Sequence, residues 1–365
     1  MAKAKTIAIA NQKGGVGKTT TAINLASALG ILEHRVLLVD ADPQANTSSG
    51  LGFVPSEQQQ SIKHLFHPEA NVLNDIVQTH SPNLDIVPGS IQLIHFEINP
   101  ISSNVLRLGK ALNPAKPMYD FIIIDCAPSL GYITLSALSA ADSVVIPVQC
   151  EYLATEGLIE LLNTLKFVRK KLNPNLDIEG VLITMFDQRL NHSRHIVKLL
   201  RQYFEDLVFK TVIKRNVSLG EAPSFGTNIF EYKISSEGSE NYLKLSREII
   251  SNQTKMKKTK PILGKNIQDI MKENTESLKS LETNKAKHLN HFEAFQKKSK
   301  DFKKLKGLSK KEVIDIFGLT YNDIYSDVWM YRISDKSSVF RKNFLYLKFR
   351  NGCVRDVQLR RFKQG

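Results

Sequence analysis

The apolar residues of this chain follow two rhythms up to about residue 250 and a third beyond it. In the first part, short β-branched runs alternate with stretches whose apolar positions recur at helical spacing. Thr6–Ala10, Arg35–Val39, Leu84–Val87, Asp120–Asp125, Ser143–Val148, Ile178–Thr184 and Val208–Ile213 read as strands. Thr19–Leu29, Thr134–Ala140, Thr155–Leu172, His192–Phe204 and Ser236–Ile250 read as helices between or after them. Strands that are apolar throughout need cover on both faces, so the pattern predicts an α/β fold: a mostly parallel sheet with helices on both faces.

The rhythm changes after Ile250. Ser251–Pro261 is polar and lysine-rich and ends in proline, as a linker does. Between Gly264 and Gly307 there is no glycine or proline, and Ile267, Met271, Leu278, Leu281, Phe292, Phe295 and Phe302 fit a heptad seam interrupted by Asn274, Lys285, His288 and Ser299. That predicts a long amphipathic helix, about 60 Å at 1.5 Å per residue, with a charged linker as the alternative because of the polar interruptions. Ser309 and Glu312 then have capping-box spacing ahead of Val313, Ile314 and Phe317. Val328–Ile333 and Phe344–Arg350 read as strands, and Asn351-Gly352 suits a two-residue hairpin turn before Val354–Leu359. The expected plan is therefore an α/β domain over 1–250, a basic linker and long helix over 251–307, and a small α+β module over 308–365.

Composition adds a partition of charge. The net charge of the 365 residues is +14, yet residues 1–250 hold 23 Lys+Arg and 24 Asp+Glu, a net of −1, leaving 27 and 12, a net of +15, to residues 251–365. An excess so placed points to an anionic partner such as nucleic acid, or to a solvated lysine-rich helix. Cys126, Cys150 and Cys353 are far apart and show no C-x-x-C spacing, which argues against a disulfide framework or a zinc site. The start of the chain resembles no secretion leader and no apolar run reaches the length of a membrane span, so a cytoplasmic protein is expected.

The strongest chemical signal is Lys13-Gly14-Gly15-Val16-Gly17-Lys18-Thr19-Thr20, set between a predicted strand and a predicted helix. Glycines there allow successive backbone N–H groups to face phosphate oxygens, and the helix N-terminus adds positive potential. Lys18 would bridge the terminal phosphates of a nucleotide, Thr19 would place its hydroxyl on Mg²⁺, and Thr20 would sit near the α-phosphate.

This loop resembles that of the ParA/MinD family of deviant-Walker P-loop ATPases, through the additional lysine matched by Lys13. Val36-Leu37-Leu38-Val39-Asp40-Ala41-Asp42-Pro43-Gln44-Ala45-Asn46 resembles the family's second motif, and Phe121-Ile122-Ile123-Ile124-Asp125-Cys126-Ala127-Pro128-Ser129 its Walker B strand. The likeness continues through Val145–Tyr152, Thr184–Asp187, Arg215-Asn216-Val217 and Glu221–Gly226, about 250 residues in all, and points to the Soj-like partition branch. The resemblance implies a catalytic Lys18, a Lys13 that reaches the partner's nucleotide in an ATP sandwich homodimer, and an Asp42 that positions the attacking water. It further implies a metal site formed by Thr19, Asp40 and Asp125, and a nucleotide contact at Gly14, Gly15, Val16, Gly17, Thr20, Arg215 and Asn216. ATP and Mg²⁺ are the implied cofactors. Nonspecific DNA and a ParB-like centromere-binding protein are the implied partners, and the nucleoid the implied location.

Many members have Pro-Arg-Asn-Val-Arg where this chain has Lys214-Arg215-Asn216-Val217-Ser218, so Ser218 stands where an arginine tied to DNA binding is common. Arg189 and Arg215 remain candidate phosphate contacts, and Lys255, Lys257, Lys258, Lys303 and Lys304 of the basic tail are the further candidates. A MinD-like membrane-surface regulator is the competing reading; it calls for a terminal amphipathic helix, whereas this sequence finishes in a predicted strand. A redox relative would need cysteine pairs for a cluster. Gly307–Val354 resembles the small BamE-like fold, which in a cytoplasmic chain implies a protein-interaction module.

Overall fold

The computed structural model describes residues 4–54, 60–98, 105–150, 154–256, 305–310, 312–313, 327–333, 341–350 and 353–363. The chain divides into two compact units, 1–265 and 266–365. The expected long helix lies outside the described residues.

The first unit is an eight-stranded sheet. Its strands are β1 (Lys5–Ile9), β2 (Val36–Ala41), β3 (Val77–Gln78), β4 (Leu84–Val87), β5 (Phe121–Cys126), β6 (Ser143–Gln149), β7 (Asp177–Phe186) and β8 (Val208–Lys214). They lie in the order β3-β4-β2-β5-β1-β6-β7-β8, parallel throughout except for the short edge strand β3. All seven predicted strands are present within two residues at each end; β3, two residues long, carries too little pattern to be read.

Among the helices, α1 (Lys18–Ile31) is buried on nearly every side. Its Ile23 and Leu25 meet Ile7 and Ile9 of β1, Val36 and Leu38 of β2, and Phe121 and Ile123 of β5 in one core. The short helices α2 (Asn46–Gly50), α3 (Ile94–Ile98) and α4 (Arg107–Leu112) follow; α5 (Tyr132–Ala140) contacts the central strands and α6 (Ala154–Lys171) contacts β6. Beyond α7 (Asn191–Phe204), α8 (Val217–Glu221) and α9 (Ile229–Lys233), α10 (Glu237–Met256) packs Tyr242, Leu245 and Ile249 into the α1 core. The Tyr242 and Thr21 hydroxyls share a 3.2 Å hydrogen bond. Thus Ser251–Met256, expected to open the linker, extend the last helix instead; no proline or glycine occurs there to stop it.

The second unit holds β9 (Val328–Ile333), β10 (Arg341–Arg350) and β11 (Cys353–Lys363), an antiparallel sheet in the order β11-β10-β9. Arg350 pairs with Cys353, the register that a two-residue hairpin connection requires, and Arg355 is the extra residue of a bulge opposite the Lys348/Phe349 step. The capping box is formed reciprocally: the Glu312 N–H donates to Ser309 Oγ at 3.3 Å, and the Ser309 N–H donates to Glu312 Oε2 at 2.8 Å.

Candidate functional site at the strand ends

The site begins where β1 runs into α1. Asn11, just past β1, donates through Nδ2 to the Pro147 carbonyl of β6 at 2.7 Å and accepts the Lys13 N–H at 3.0 Å, which fixes the loop's entry. Thr184 of β7 donates to the Val16 carbonyl at 2.8 Å and holds its apex. Gly15 and Gly17 sit at φ of 73° and 86°, a region that side chains with a Cβ avoid, and beside Gly14 and Gly15 there is open space. Helix α1 has no capping side chain and no acidic residue in its first turn, so nothing in its own sequence competes with an outside anion at its N-terminus. Lys18 is 6% exposed, and its Nζ donates to the Lys13 carbonyl at 3.0 Å. Burial lowers its pKa, opposed by the charges of Asp125 and Asp42.

Strand register supplies the carboxylates. Asp125 pairs with Ile9 on one side and Asp40 on the other, so the ends of β1, β5 and β2 meet at one level. Asp125 is completely buried; its Oδ2 accepts the Thr19 hydroxyl at 2.9 Å and the Thr47 hydroxyl at 2.7 Å. Its Oδ1 is equally buried and has no hydrogen-bond partner. Burial, together with the nearby Asp40 charge, pushes the Asp125 carboxyl up to about 7. Such an oxygen calls for a cation or a donor. No group of three or more His, Cys, Asp or Glu side chains fit to hold a metal occurs among the described residues, so a cation here would need Thr19, ligand oxygens and water as well.

Asp40 is held differently. Its Oδ2 accepts the Ser48 N–H at 2.8 Å and the Ser48 hydroxyl at 2.7 Å, and its Oδ1 the Asp42 N–H at 3.3 Å. Burial raises it to about 6 against those hydrogen bonds. Both oxygens are engaged by its own loop, so Asp40 anchors α2, while Asp125 offers the open atom. Asp42, 6% exposed, accepts the Gln44 N–H at 2.9 Å and is thereby aimed by the turn into α2.

Arg215 and Asn216 follow β8, and the Arg215 N–H donates to the Phe186 carbonyl at the end of β7 at 3.0 Å. The Asn216 Oδ1 is buried without a partner. Met185 and Thr184 lie against Gly17, so the end of β7 borders the loop, and the end of β8 is paired beside it. Arg189, in contrast, is already engaged: its guanidinium donates twice to the Asp187 carboxylate, at 2.9 and 2.7 Å, and holds that carboxyl down at about 2. Ser218 is buried. Lys255 belongs to α10, and Lys257, Lys258, Lys303 and Lys304 lie outside the described residues. A surface cavity of about 700 Å³, lined by residues such as His64, His67 and Asp75, shares no residue with the site.

Sequence reasoning missed Thr47, Ser48, Gly89, Asn11 and Thr184. Thr47 and Ser48 directly follow the second motif, and Gly89 donates its N–H to the Ser48 hydroxyl at 2.8 Å. Their signal is tertiary, since no local spacing ties residue 89 to residue 40.

A family model described as an AAA domain matches residues 4–178. The chain is 52% identical over 250 residues to the sporulation initiation inhibitor protein Soj of Bacillus subtilis, covering 68% of this chain and 99% of that one. Among solved structures, a putative plasmid partition protein of Borrelia burgdorferi bound to AMPPNP superposes with a TM-score of 0.59 at 26% identity, over 69% of this chain and 100% of that one. Cobyrinic acid a,c-diamide synthase of Mycobacterium smegmatis with bound ADP and magnesium gives a TM-score of 0.61 at 31% identity, over 71% and 99%.

Proposed function

The chain belongs to the ParA/MinD family of P-loop ATPases, in its Soj-like branch, and we propose that it is a partition ATPase whose ATP-bound form dimerises, binds DNA without sequence preference and is reset by hydrolysis. The observation that carries this reading is the meeting of three groups at the loop: the Lys18 amine, the Thr19 hydroxyl and the unpartnered Asp125 oxygen.

The residues present fit Mg·ATP. Gly14 to Gly17 would cradle the phosphates, Lys18 would exchange its bond to the Lys13 carbonyl for the terminal phosphates, and Thr19 and Asp125 would hold Mg²⁺, directly and through water respectively. When bound, the cation offsets negative charge that builds on the transferring phosphoryl group. Asp42, which accepts the Gln44 N–H, would align the attacking water. Arg215 and Asn216 would face the nucleotide from the end of β8, where the buried Asn216 oxygen needs a donor. Lys13 would complete the charge around the terminal phosphate of a second copy, making ATP part of the dimer interface. DNA, a ParB-like partner that stimulates hydrolysis, and residence on the nucleoid complete the proposal. Arg215 suits a phosphate contact better than Arg189, whose fork is occupied by Asp187.

Lys13→Ala tests the reading. The variant should keep appreciable ATP affinity, lose the ATP-dependent dimer in light scattering, and lose the ATP-driven gain in DNA binding. A nucleotide-dependent dimer that survives the change sinks the role given to Lys13.

A further inference from the structure

The sheet of the second unit carries nine Arg or Lys residues and one acid, Asp356. Register sorts them by face. Leu345, Leu347 and Phe349 of β10 are buried, as are Val354 of β11 and the neighbouring Leu305 and Val313, and together they mark the covered face. Strand alternation then sets Lys342, Phe344, Tyr346, Lys348 and Arg350 on the opposite one. There Lys348 and Arg350 are exposed and Tyr346 is half-buried. Pairing places Arg332 and Arg360 on either side of Phe344, and Phe362 beside Lys342, at positions of that same face.

Five basic positions thus share one face with three aromatic ones. Asp356, opposite Lys348, is the one acid set against them: it accepts from Gln358 Nε2 at 2.9 Å and lies 4.0 Å from Lys306, and that hydrogen bond, with the charges of Lys306 and Lys348, holds its carboxyl below the usual range. An ordinary solvated sheet face mixes charges of both signs, because like charges on neighbouring strands repel. Here one acid stands against nine basic residues within the described sheet, an excess that a polyanion relieves. Cations interleaved with aromatics also suit a nucleic acid better than an acidic protein, since phosphates and base faces take one each.

We propose that the Lys342–Lys348–Arg350 face of the C-terminal sheet is a DNA-binding surface that grips backbone phosphates whatever nucleotide the ATPase unit holds. This rests on the partition reading for its choice of ligand. Its unit contains none of the nucleotide-site residues, so it should bind in the ADP state as well, leaving the ATP-driven dimer to join two such surfaces and multiply their hold.

The test uses the full chain, a fluorescent duplex of random sequence, and a salt titration in ADP and in ATP. With ADP, K348E/R350E should bind about 10- to 100-fold more weakly at ~0.1 M salt, with the slope of log K against log salt reduced by about 1.8. K348R/R350K should keep wild-type binding, and both variants should keep ATP-dependent dimerisation, which reports an intact fold. Unchanged ADP-state affinity and slope in the reversed variant overturns the proposal, as does a wild-type chain that binds no DNA in ADP. Loss of phosphatidylglycerol-vesicle binding with DNA binding unchanged also overturns it, in favour of a lipid surface. Absence of an ATP-driven increment, with ADP-state binding present, instead removes the partition reading and leaves the surface standing.

Discussion

As proposed above, the two units of this chain would meet anions by opposite means. In the first, the decisive cation is a single, almost fully buried lysine, Lys18, set in a loop of fixed backbone with buried carboxylates beside it. In the second, many basic residues are spread over an antiparallel sheet, with Lys348, Arg350 and Arg355 exposed to water. A buried, prebuilt site gains from low dielectric and depends on each member, whereas an exposed set acts additively and is screened by salt. The first suits one ligand of fixed shape; the second suits a long polymer of variable sequence.

The largest expected effect breaks the first kind of site outright. Lys18→Ala leaves the glycine loop and its backbone N–H groups in place and removes the one buried amine near Asp125 and Asp42, so ATP affinity should fall about 100-fold or more in isothermal titration, the scale of a lost charge-assisted hydrogen bond. Undiminished affinity would show that the loop is not the nucleotide site. Asp42→Ala should bind ATP and dimerise while hydrolysing roughly 100- to 1,000-fold more slowly in single-turnover assays, the range for losing a group that handles the attacking water. Normal turnover removes Asp42 from the chemistry. Additivity in the second unit implies no comparable single-residue loss there.

How much of this could be read from sequence divides along the same line. The loop, both motif strands and their order were legible because the spacing Gly15-Val16-Gly17-Lys18-Thr19 and the apolar runs ending in Asp40 and Asp125 are local. Resemblance also implies a place for Asp40 toward the metal's outer shell, and in the fold both its oxygens accept hydrogen bonds, from Ser48 and the Asp42 N–H. Nothing local foretold this, because it depends on how α2 folds back beneath β2. The second unit's hairpin was legible from Asn351-Gly352, while its charged face was not: the basic residues of β10 and β11 look scattered until the register Phe344↔Arg360 aligns them. Of the tail's candidate lysines, Lys257, Lys258, Lys303 and Lys304 lie outside the described residues.

A moderate effect should come from the scaffold beneath the first site. A Cβ on Gly89 would lie 2.7 Å from Asp40 Oδ2 and 2.9 Å from the Ala45 Cβ. Asp40 is pinned by Ser48 and cannot retreat, so Gly89→Ala should destabilise the chain by about 1–3 kcal/mol, as overpacking does. Urea denaturation checks this, and a variant as stable as wild type would mean that the Asp40 loop yields easily.

The smallest effect concerns pH, and it separates the units by sign. Asp125 and Asp40 are raised to about 7 and about 6, chiefly by burial, against an unfolded value of about 3.9. The folded apoprotein therefore holds protons that the unfolded chain releases. The stability these two groups contribute is full below about pH 4 and declines as pH rises toward 7. Asp356 is shifted the other way, so any stability from it is lost only as pH falls. Asp125→Asn removes the larger buried penalty while an amide oxygen can still accept from Thr19 and Thr47. In EDTA, its melting temperature should gain on wild type progressively from about pH 5 to pH 8. With Mg²⁺ and ATP the order should reverse at pH 8, because a cation bound near the free Asp125 oxygen favours the ionised carboxylate, which the amide cannot supply. A difference between variant and wild type that does not change with pH would mean that Asp125 is already ionised in the apoprotein, and that its bare oxygen is satisfied by water rather than reserved for a ligand.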